Sequence, residues 1–338
     1  MTIARLAFID WMKATGMFLI VFGHVVGGPV NFLTPPIYQK QLGVAFFLFV
    51  TGFTLARETR PVARVVVNRL FEILLIGGAF AVLATVASFL TGGRGQLSNY
   101  MPFLLGANVA VNHFPANPTT WYIGTYMHVI LAWAAGARFL RPTPALIAAS
   151  LVTEVLIRAA LWTSAGSFVA YMALPNWMTV LLLGLYAGRT EDTQGSARWT
   201  TAVAAVAVAA PLACGLIWPF DAGFPFRALP AAGAWSRLVA SAGVSLFYAG
   251  ATWLAFRATS RLGRSRLVEF LAAQTVIIFV VHMPLYYGLQ WLTDAWPQWA
   301  RAASALVLCY AGLACVGAVL YRWLRPAQLR ERVARLAA

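Results

Sequence analysis

The chain has 338 residues, of which 61% are hydrophobic and 10% are charged, and its mean hydropathy is +0.74. These values exclude a soluble globular domain, in which about 25% of the residues are charged, and they indicate a polytopic membrane protein. The formal net charge of +15 must therefore be interpreted along the membrane topology, and it does not by itself indicate a nucleic-acid partner.

Hydrophobic segments recur along the chain at about the 20-residue length that a transmembrane helix needs. We predict an all-α protein with about ten transmembrane helices. They form a single membrane domain over residues 1–338, which ends in a basic cytoplasmic tail at 322–338. The ten predicted spans lie near residues 7–29, 41–56, 70–91, 121–137, 144–162, 176–188, 199–219, 236–256, 267–289 and 299–321.

The basic residues are distributed unequally between the two sides of this topology. If the N-terminus is cytoplasmic, 18 of the 25 Lys and Arg residues fall in inner loops and tails, five fall on the outer side, and Lys13 and Arg158 stay within the membrane. This asymmetry follows the positive-inside rule. It predicts cytoplasmic termini and a location in the cytoplasmic (inner) membrane.

The first span carries ionisable residues, which are rare inside a membrane and usually functional. His24 follows Lys13 by eleven positions, so on a helix the two side chains lie on nearly the same face, about 16 Å apart. Asp10 lies within about 40° of this stripe. We predict that His24 and Lys13 belong to a functional site, whereas pairing of Asp10 with Lys13 is the structural alternative.

Small and aromatic residues mark two further positions. Thr51 and Gly52 in the second span allow close helix contact or leave room for a ligand. Trp121 and Tyr122 open the fourth span. Their rings suit stacking on sugars, although Trp and Tyr also gather at membrane interfaces because they are amphipathic.

The helix assignments place His24, His282 and His128 toward the outer half of the membrane, and His113 in an outer loop. An imidazole can exchange a proton near neutral pH. Pro284 follows His282 by two residues, removes a helical hydrogen bond and bends the ninth span at that depth. Proton transfer at His282 is therefore a hypothesis, and a packed core histidine is the alternative.

Other polar groups favour structural roles. Glu154 and Arg158 lie four residues apart in the fifth span, and we predict a structural ion pair. Glu72, near the inner end of the third span, is expected to meet Arg69 or another basic neighbour. No spacing of ligands indicates a metal site, and buried structural thiols are expected for Cys214, Cys309 and Cys315.

Several short motifs occur together and in order: Asp10-x-x-Lys13-x(10)-His24, Phe46-Phe-Leu-Phe-Val-Thr51-Gly52-Phe53, Arg69-Leu70, Trp121-Tyr-Ile123 and Ile277-Ile-Phe-Val-Val-His282-Met-Pro-Leu. Over residues 5 to about 290 the chain resembles the acyltransferase 3 family of integral membrane acyltransferases. Lys13 stands where that family usually has Arg, Thr51 stands where Ser is common, and Gln274-Thr275 replaces a typical Asn-Ser.

The resemblance implies an acyltransferase that moves an acyl group, usually acetyl, from cytoplasmic acyl-CoA to a hydroxyl of a surface or secreted glycan. The family's basic residue and histidine correspond here to Lys13 and His24. Direct transfer with His24 as general base is the expected mechanism, and a covalent acyl-histidine relay stays open.

These considerations predict a complete set of site residues. Catalysis is assigned to His24, Lys13, Asp10 and His282, donor binding to Lys13, Arg57, Arg64 and Arg69, and substrate binding to Thr51, Trp121, Tyr122 and His128. The expected partners are the lipid bilayer, acyl-CoA as co-substrate and a carbohydrate acceptor. We expect no nucleic acid, no metal and no permanently bound cofactor, and a homodimer stays open.

Two alternatives remain at this stage. A transporter or flippase for a glycan precursor or a small anion would use the same intramembrane charges to bind and relay its cargo. A non-catalytic membrane partner would use them for helix packing alone. Thioester turnover by the purified protein separates both alternatives from the enzyme.

Overall fold

A computed structural model of the protein describes residues 6–26, 39–90, 106, 109, 121–190, 197–214 and 233–336. All regular secondary structure within these ranges is helical, which confirms the predicted all-α class. The α-helices in chain order are α1 Ala7–Val26, α2 Gln39–Ala56, α3 Val62–Leu90, α4 Trp121–Ala135, α5 Pro144–Ser164, α6 Ser167–Met172, α7 Met178–Arg189, α8 Ala197–Ala213, α9 Ala234–Thr259, α10 Arg266–Ala273, α11 Thr275–Leu292, α12 Gln298–Val307, α13 Leu313–Leu324 and α14 Pro326–Leu336.

Three short elements complete the described part of the chain. Two 3₁₀ turns, Ala137–Phe139 and Leu174–Trp177, precede α5 and α7, and a π-helix, Leu308–Gly312, joins α12 to α13. The π-helix keeps the tenth predicted span continuous. It directs Cys309 into the core, while the Tyr310 hydroxyl donates to the Ala14 carbonyl of α1 at 2.8 Å.

Six helical segments of the described chain are long and apolar enough to cross a membrane. They are Ala7–Val25, Val62–Leu83, Pro144–Ser164, Ala234–Thr259, Thr275–Leu292 and Gln298–Leu324. Two shorter apolar helices, Leu42–Ala56 and Trp199–Ala213, accompany them. The protein is therefore a multi-pass membrane protein, and the count of ten spans and the cytoplasmic placement of both termini stay predictions.

Two predicted spans differ from the observed helices. The sixth comprises a 3₁₀ turn followed by α7, which has only 12 residues and is about 18 Å long. The ninth divides at Gln274 into the short α10 and the longer α11. Hydropathy cannot detect such a division, because both sides of Gln274 are apolar.

Close glycine contacts join α2 to its neighbours. A Cβ atom at Gly184 of α7 would overlap the Phe49 carbonyl of α2, and one at Gly52 would overlap the Leu181 carbonyl of α7. Gly16 of α1 and Gly43 of α2 approach each other in the same way. The predicted close approach of the second helix at Gly52 is confirmed, because only residues without a side chain permit this spacing.

A buried polar network joins α5, α7 and α9. Arg158 donates to Glu154 Oε1 at 2.7 Å and to the Ser245 hydroxyl at 2.7 Å. Glu154 Oε2 accepts from the backbone N–H of Thr179 at 3.0 Å, in the first turn of α7. Both charged residues are 2% exposed. The predicted ion pair is confirmed, and its further hydrogen bonds mark it as a packing device.

The three cysteines are free thiols, as expected. Cys309 is buried, but Cys214, just after α8, and Cys315, on α13, are exposed, so the expectation of burial is wrong for these two. Helices of a membrane bundle also present residues to lipid, and a small, weakly polar thiol is compatible with that surface.

Candidate active site

The structure brings two histidines together in the interior of the helix bundle. The rings of His24, on α1, and His282, on α11, have centroids 5.3 Å apart and planes inclined by 49°. His282 is completely buried. Two imidazoles that lie far apart in the sequence therefore share one site, and proton exchange is the chemistry that such a pair offers.

The hydrogen bonds of His282 show which of its two ring nitrogens can accept a proton. Its Nδ1 lies 3.0 Å from the Ile278 carbonyl and 2.9 Å from the Phe279 carbonyl. Carbonyl oxygens only accept, so Nδ1 carries the proton. Within the described part of the protein the buried Nε2 has no hydrogen-bond partner. In the neutral ring this nitrogen is the proton acceptor.

A cavity of about 330 Å³ lies between α1, α2, α3, α4, α11 and α14. This volume is within the range of small-molecule sites. Apolar and aromatic side chains form much of its wall, together with the hydroxyls of Thr51, Thr54 and Thr275. The apolar and aromatic residues are Ile9, Met17, Phe47, Val50, Ile73, Tyr122, Tyr126, Val276 and Phe279.

One end of this cavity is cationic. Lys13, Arg69 and Arg330 line it together with Asn68 and a single acidic residue, Glu72. The cavity thus has a polar, positively charged end that suits an anion and an apolar remainder that suits a chain.

The carboxylate of Glu72 at this end accepts a hydrogen bond from a residue that the sequence did not indicate. The Tyr321 hydroxyl donates to Glu72 at 2.5 Å. Arg69 lies beside Tyr126 and is 4.0 Å from Glu58 at the α2–α3 connection. Hydrogen bonds from Arg60 hold the pKa of Glu58 below its usual range, so this carboxylate is ionised. Glu72 thus has Tyr321 as a partner, and the expectation that it meets Arg69 or another basic neighbour stays a prediction.

Two helices lead from the cavity toward the histidine pair. Ile9, Lys13 and Met17 line it at intervals of four residues along α1, which continues to His24. On α11 the cavity residue Phe279 lies one turn before His282, with ring centroids 6.2 Å apart. Phe279 therefore stands between the cavity and the histidines.

The predicted donor residues separate into two groups. Lys13 and Arg69 line the cavity, as required of residues that bind a ligand there. Arg57 and Arg64 are not among the described residues of its wall. Arg57 donates to the Gly188 carbonyl at 3.1 Å and lies over the Phe53 ring, so it joins α2 to the end of α7. Arg64 pairs with Glu331 at 2.5 Å.

The predicted substrate residues also separate. Thr51 and Tyr122 line the cavity. Trp121 stacks on Trp177 with centroids 6.2 Å apart, in an aromatic cluster that also includes Tyr171. Its ring belongs to the packing between α4 and the segment before α7.

The placement of His128 toward the outer half of the membrane stays a prediction. His128, on α4, forms a hydrogen bond with the backbone of Gly106, and a Cβ atom at Gly106 would lie 3.4 Å from its Nε2. His128 is not among the described residues that line the cavity.

Several cavity residues were missing from the sequence-based site. Among them are Asn68, Glu72, Tyr126, Phe279 and Arg330. Tyr126 could have been found from its spacing of four residues after Tyr122, and Phe279 from its position one turn before His282. No local signal distinguishes Arg330 from the other arginines of the C-terminal region.

The remaining predicted catalytic residue, Asp10, is buried on α1 and is 4% exposed. Its proposed role stays a prediction. No group of three metal-binding side chains occurs within the described ranges. The structure therefore offers a cavity lined by three cations and many apolar side chains, and next to its residue Phe279 an imidazole pair that is not itself part of the described cavity wall.

A family model described as an acyltransferase domain matches residues 6–323 of the chain. The match includes both histidines and all but one of the residues that line the cavity. No curated protein and no solved structure matches the chain significantly.

Proposed function

Because the chain belongs to the acyltransferase 3 family and is thus a membrane acyltransferase, we propose that it transfers an acetyl group from cytoplasmic acyl-CoA to a glycan hydroxyl. The acceptor is a surface or secreted carbohydrate that meets the acyl group at the outer side of the cytoplasmic membrane. The observation that carries this proposal is the pairing of His24 with His282 next to Phe279, a residue of the cavity that Lys13, Arg69 and Arg330 also line.

The donor enters the cavity from the cationic end. Its phosphates stay near Lys13 and Arg69, where positive charge offsets their charge. The pantetheine arm extends along α1 past Met17. Lys13 and His24 are about 16 Å apart along the helix axis, a distance that a long, flexible arm can bridge. Phe279 must turn aside to admit the thioester to the histidines.

His24 acts as the general base in the transfer step. The acceptor hydroxyl gives its proton to an imidazole nitrogen as its oxygen forms a bond to the thioester carbonyl carbon. The carbon–sulfur bond then breaks, and the thiolate of CoA takes up the proton. The products are an O-acyl ester and CoA. General-base assistance of this kind contributes about 10²–10⁴ in rate.

His282 supports this step through its available nitrogen. With the proton held on Nδ1 by two carbonyls, Nε2 can only accept a hydrogen bond in the neutral ring. It orients the acceptor hydroxyl, or the protonated form of His24, without competing as a donor.

The acceptor approaches along the part of α11 that follows His282. Tyr286 lies one turn farther along and Gln290 two turns farther, and Gln290 donates to the Tyr286 hydroxyl at 2.8 Å. Tyr286 itself donates to the Val25 carbonyl at 3.3 Å, next to His24. Phenol and amide groups in this position suit the hydroxyls of a sugar.

The test is release of CoA thiol from acetyl-CoA by purified protein in nanodiscs, with a glycan-rich membrane extract as acceptor. We expect His24→Ala to lower kcat by at least about 100-fold. Lys13→Ala is expected to raise the KM for acetyl-CoA. Thr15→Ala, on the exposed face of the same helix, is the matched control and should behave as wild type.

Retention of near-wild-type turnover by His24→Ala contradicts the assigned base. If folded wild-type protein consumes neither acetyl-CoA nor longer acyl-CoA with any extract, the acyl-transfer proposal is overturned. A labelled glycan precursor that crosses vesicles containing the protein would then favour the transporter.

A further inference from the structure

The C-terminal helix α14 packs against α3 on the same side of the protein as the cationic end of the cavity. Glu331 of α14 pairs with Arg64 of α3 at 2.5 Å, and Ala334 is buried with 1% exposure. An ion pair and an apolar contact thus hold this helix in one position. Arg325, the residue between α13 and α14, reverses the chain with a left-handed φ of 44°.

This position places one arginine of α14 at the cavity. Arg330 lines it beside Asn68 and Arg69. The Nε atom of Arg330 is buried and, among the residues that the structure describes, has no hydrogen-bond partner. A buried guanidinium N–H that remains unsatisfied is costly, and an anion in the cavity would supply the missing acceptor.

The neighbouring arginines of α14 have different surroundings. Arg332 is exposed, and Arg335, which is 78% exposed, lies 3.9 Å from Glu331. Both carry the same charge on the same helix without lining the cavity. Arg330 therefore differs from Arg332 and Arg335 in that it lines the cavity.

Charge and geometry indicate the class of ligand. The wall of the cavity end has three cations, Lys13, Arg69 and Arg330, and one carboxylate, Glu72, which already accepts from Tyr321; Glu58, 4.0 Å from Arg69, is a second carboxylate outside the described wall, so positive charge still exceeds negative charge. A guanidinium presents paired N–H donors that match two oxygens of a phosphate. An excess of positive charge with an unsatisfied guanidinium suits a phosphorylated ligand better than a neutral one.

We propose that Arg330, with Asn68 and Arg69, binds a phosphate of the acyl donor's nucleotide, so that the C-terminal helix forms part of the donor site. This inference rests on the proposed function. It extends the site beyond residues 6–323, the part of the chain that the family model matches. The Arg64–Glu331 pair positions the helix that carries this residue.

The experiment compares two donors that share the thioester and the arm and differ in the phosphorylated nucleotide. Acetyl-CoA has the complete phosphorylated nucleotide, whereas S-acetyl-pantetheine has the same thioester and arm without phosphate. We expect Arg330→Gln to raise the KM for acetyl-CoA about tenfold or more, the effect of one charge-assisted hydrogen bond. Its KM for S-acetyl-pantetheine and its kcat with either donor should stay within twofold of wild type.

Two further variants serve as controls. Arg332→Gln removes the same charge from an exposed position of α14 and should leave both KM values unchanged. Arg330→Lys retains the charge but not the paired donors, and we expect it to restore part of the affinity for acetyl-CoA. Unchanged kinetics with S-acetyl-pantetheine also demonstrate that Arg330→Gln is folded.

An equal rise in KM for both donors, or none for either, overturns the inference. A lipid phosphate is the other source of the same chemistry, so the kinetics are repeated in nanodiscs of phosphatidylcholine alone and with phosphatidylglycerol. An effect of Arg330→Gln that occurs only with phosphatidylglycerol assigns the residue to lipid and also overturns the inference.

Direct binding separates this inference from the proposed function. Calorimetric titration of CoA into wild type and Arg330→Gln needs no turnover. Weaker CoA binding by the variant supports the phosphate site even if the acceptor is missing from the assay. If wild type turns over acetyl-CoA and both proteins bind CoA equally, the acyltransferase stands and the role of Arg330 is refuted.

Discussion

Replacing Arg158 by Leu removes the cation from a network that is closed to solvent. The guanidinium is 2% exposed and donates to Glu154, to Ser245 and to the Asn176 carbonyl at 2.7–2.9 Å. Leu cannot replace these donors, so the Glu154 carboxylate is left in the bundle interior without its cation. Breaking a buried pair in this way typically destabilises by about 3–5 kcal/mol, and we expect a loss of that size.

Removing both charges should be less harmful than removing one. In Glu154→Leu/Arg158→Leu no uncompensated charge remains, and the main loss is the acceptor for the Thr179 N–H, about 1–3 kcal/mol. Leu156→Ala, on the exposed face of the same helix, is the control and should change stability by less than about 1 kcal/mol.

The assay is equilibrium unfolding in mixed micelles, followed by thioester turnover per mole of folded protein. We expect the variants to lose stability in the order stated and to retain the wild-type kcat when folded, because the network is separate from the histidine pair. Wild-type stability of Arg158→Leu would refute the structural assignment. Loss of turnover without loss of stability would instead assign the pair to the chemistry.

Two other predictions concern the histidine pair and the helix contacts. The double variant His24→Ala/His282→Ala should lose little more activity than the worse single variant, since residues that act as a unit are non-additive; multiplicative losses in kcat would contradict a shared step. Gly184→Ala should lower the thermal midpoint because its Cβ would overlap the Phe49 carbonyl, at a cost of about 1–3 kcal/mol. Gly288→Ala, where the Cβ meets nothing within 4 Å, is its control, and equal midpoints for both would refute the close contact.

The sequence predicts best those helices whose first and last residues coincide with a change in hydropathy. The eighth span was expected over 236–256 and is observed as α9, Ala234–Thr259. The third was expected over 70–91, but α3 begins at Val62, because polar residues outside the hydrocarbon core do not end a helix. The fourth and sixth predicted spans are observed as the shorter helices α4 and α7, with 15 and 12 residues, since apolar character alone does not reveal where a helix ends.

Within the candidate site, the sequence spacing alone places Lys13 and His24 on the same face of α1. The reason is that helical periodicity relates residues of one helix to each other. The contact of His24 with His282 was not predictable in this way. Both residues were suspected separately, but periodicity carries no information about which helices pack together. The same limit applies to Phe279, whose position between cavity and histidines depends on how α11 lies against α1.

The sequence by itself determined the membrane class, the all-helical architecture, the intramembrane ionisable groups and the resemblance to a family. These follow from composition, helical period and short motifs, each of which is a property of neighbouring residues. Only the tertiary structure decided that Arg57 and Arg64 have other partners and that Arg330 reaches the cavity. The physical reason is that a charged side chain on the surface of a helix can meet solvent, lipid, a carboxylate or a ligand, and the packing of distant helices selects among them.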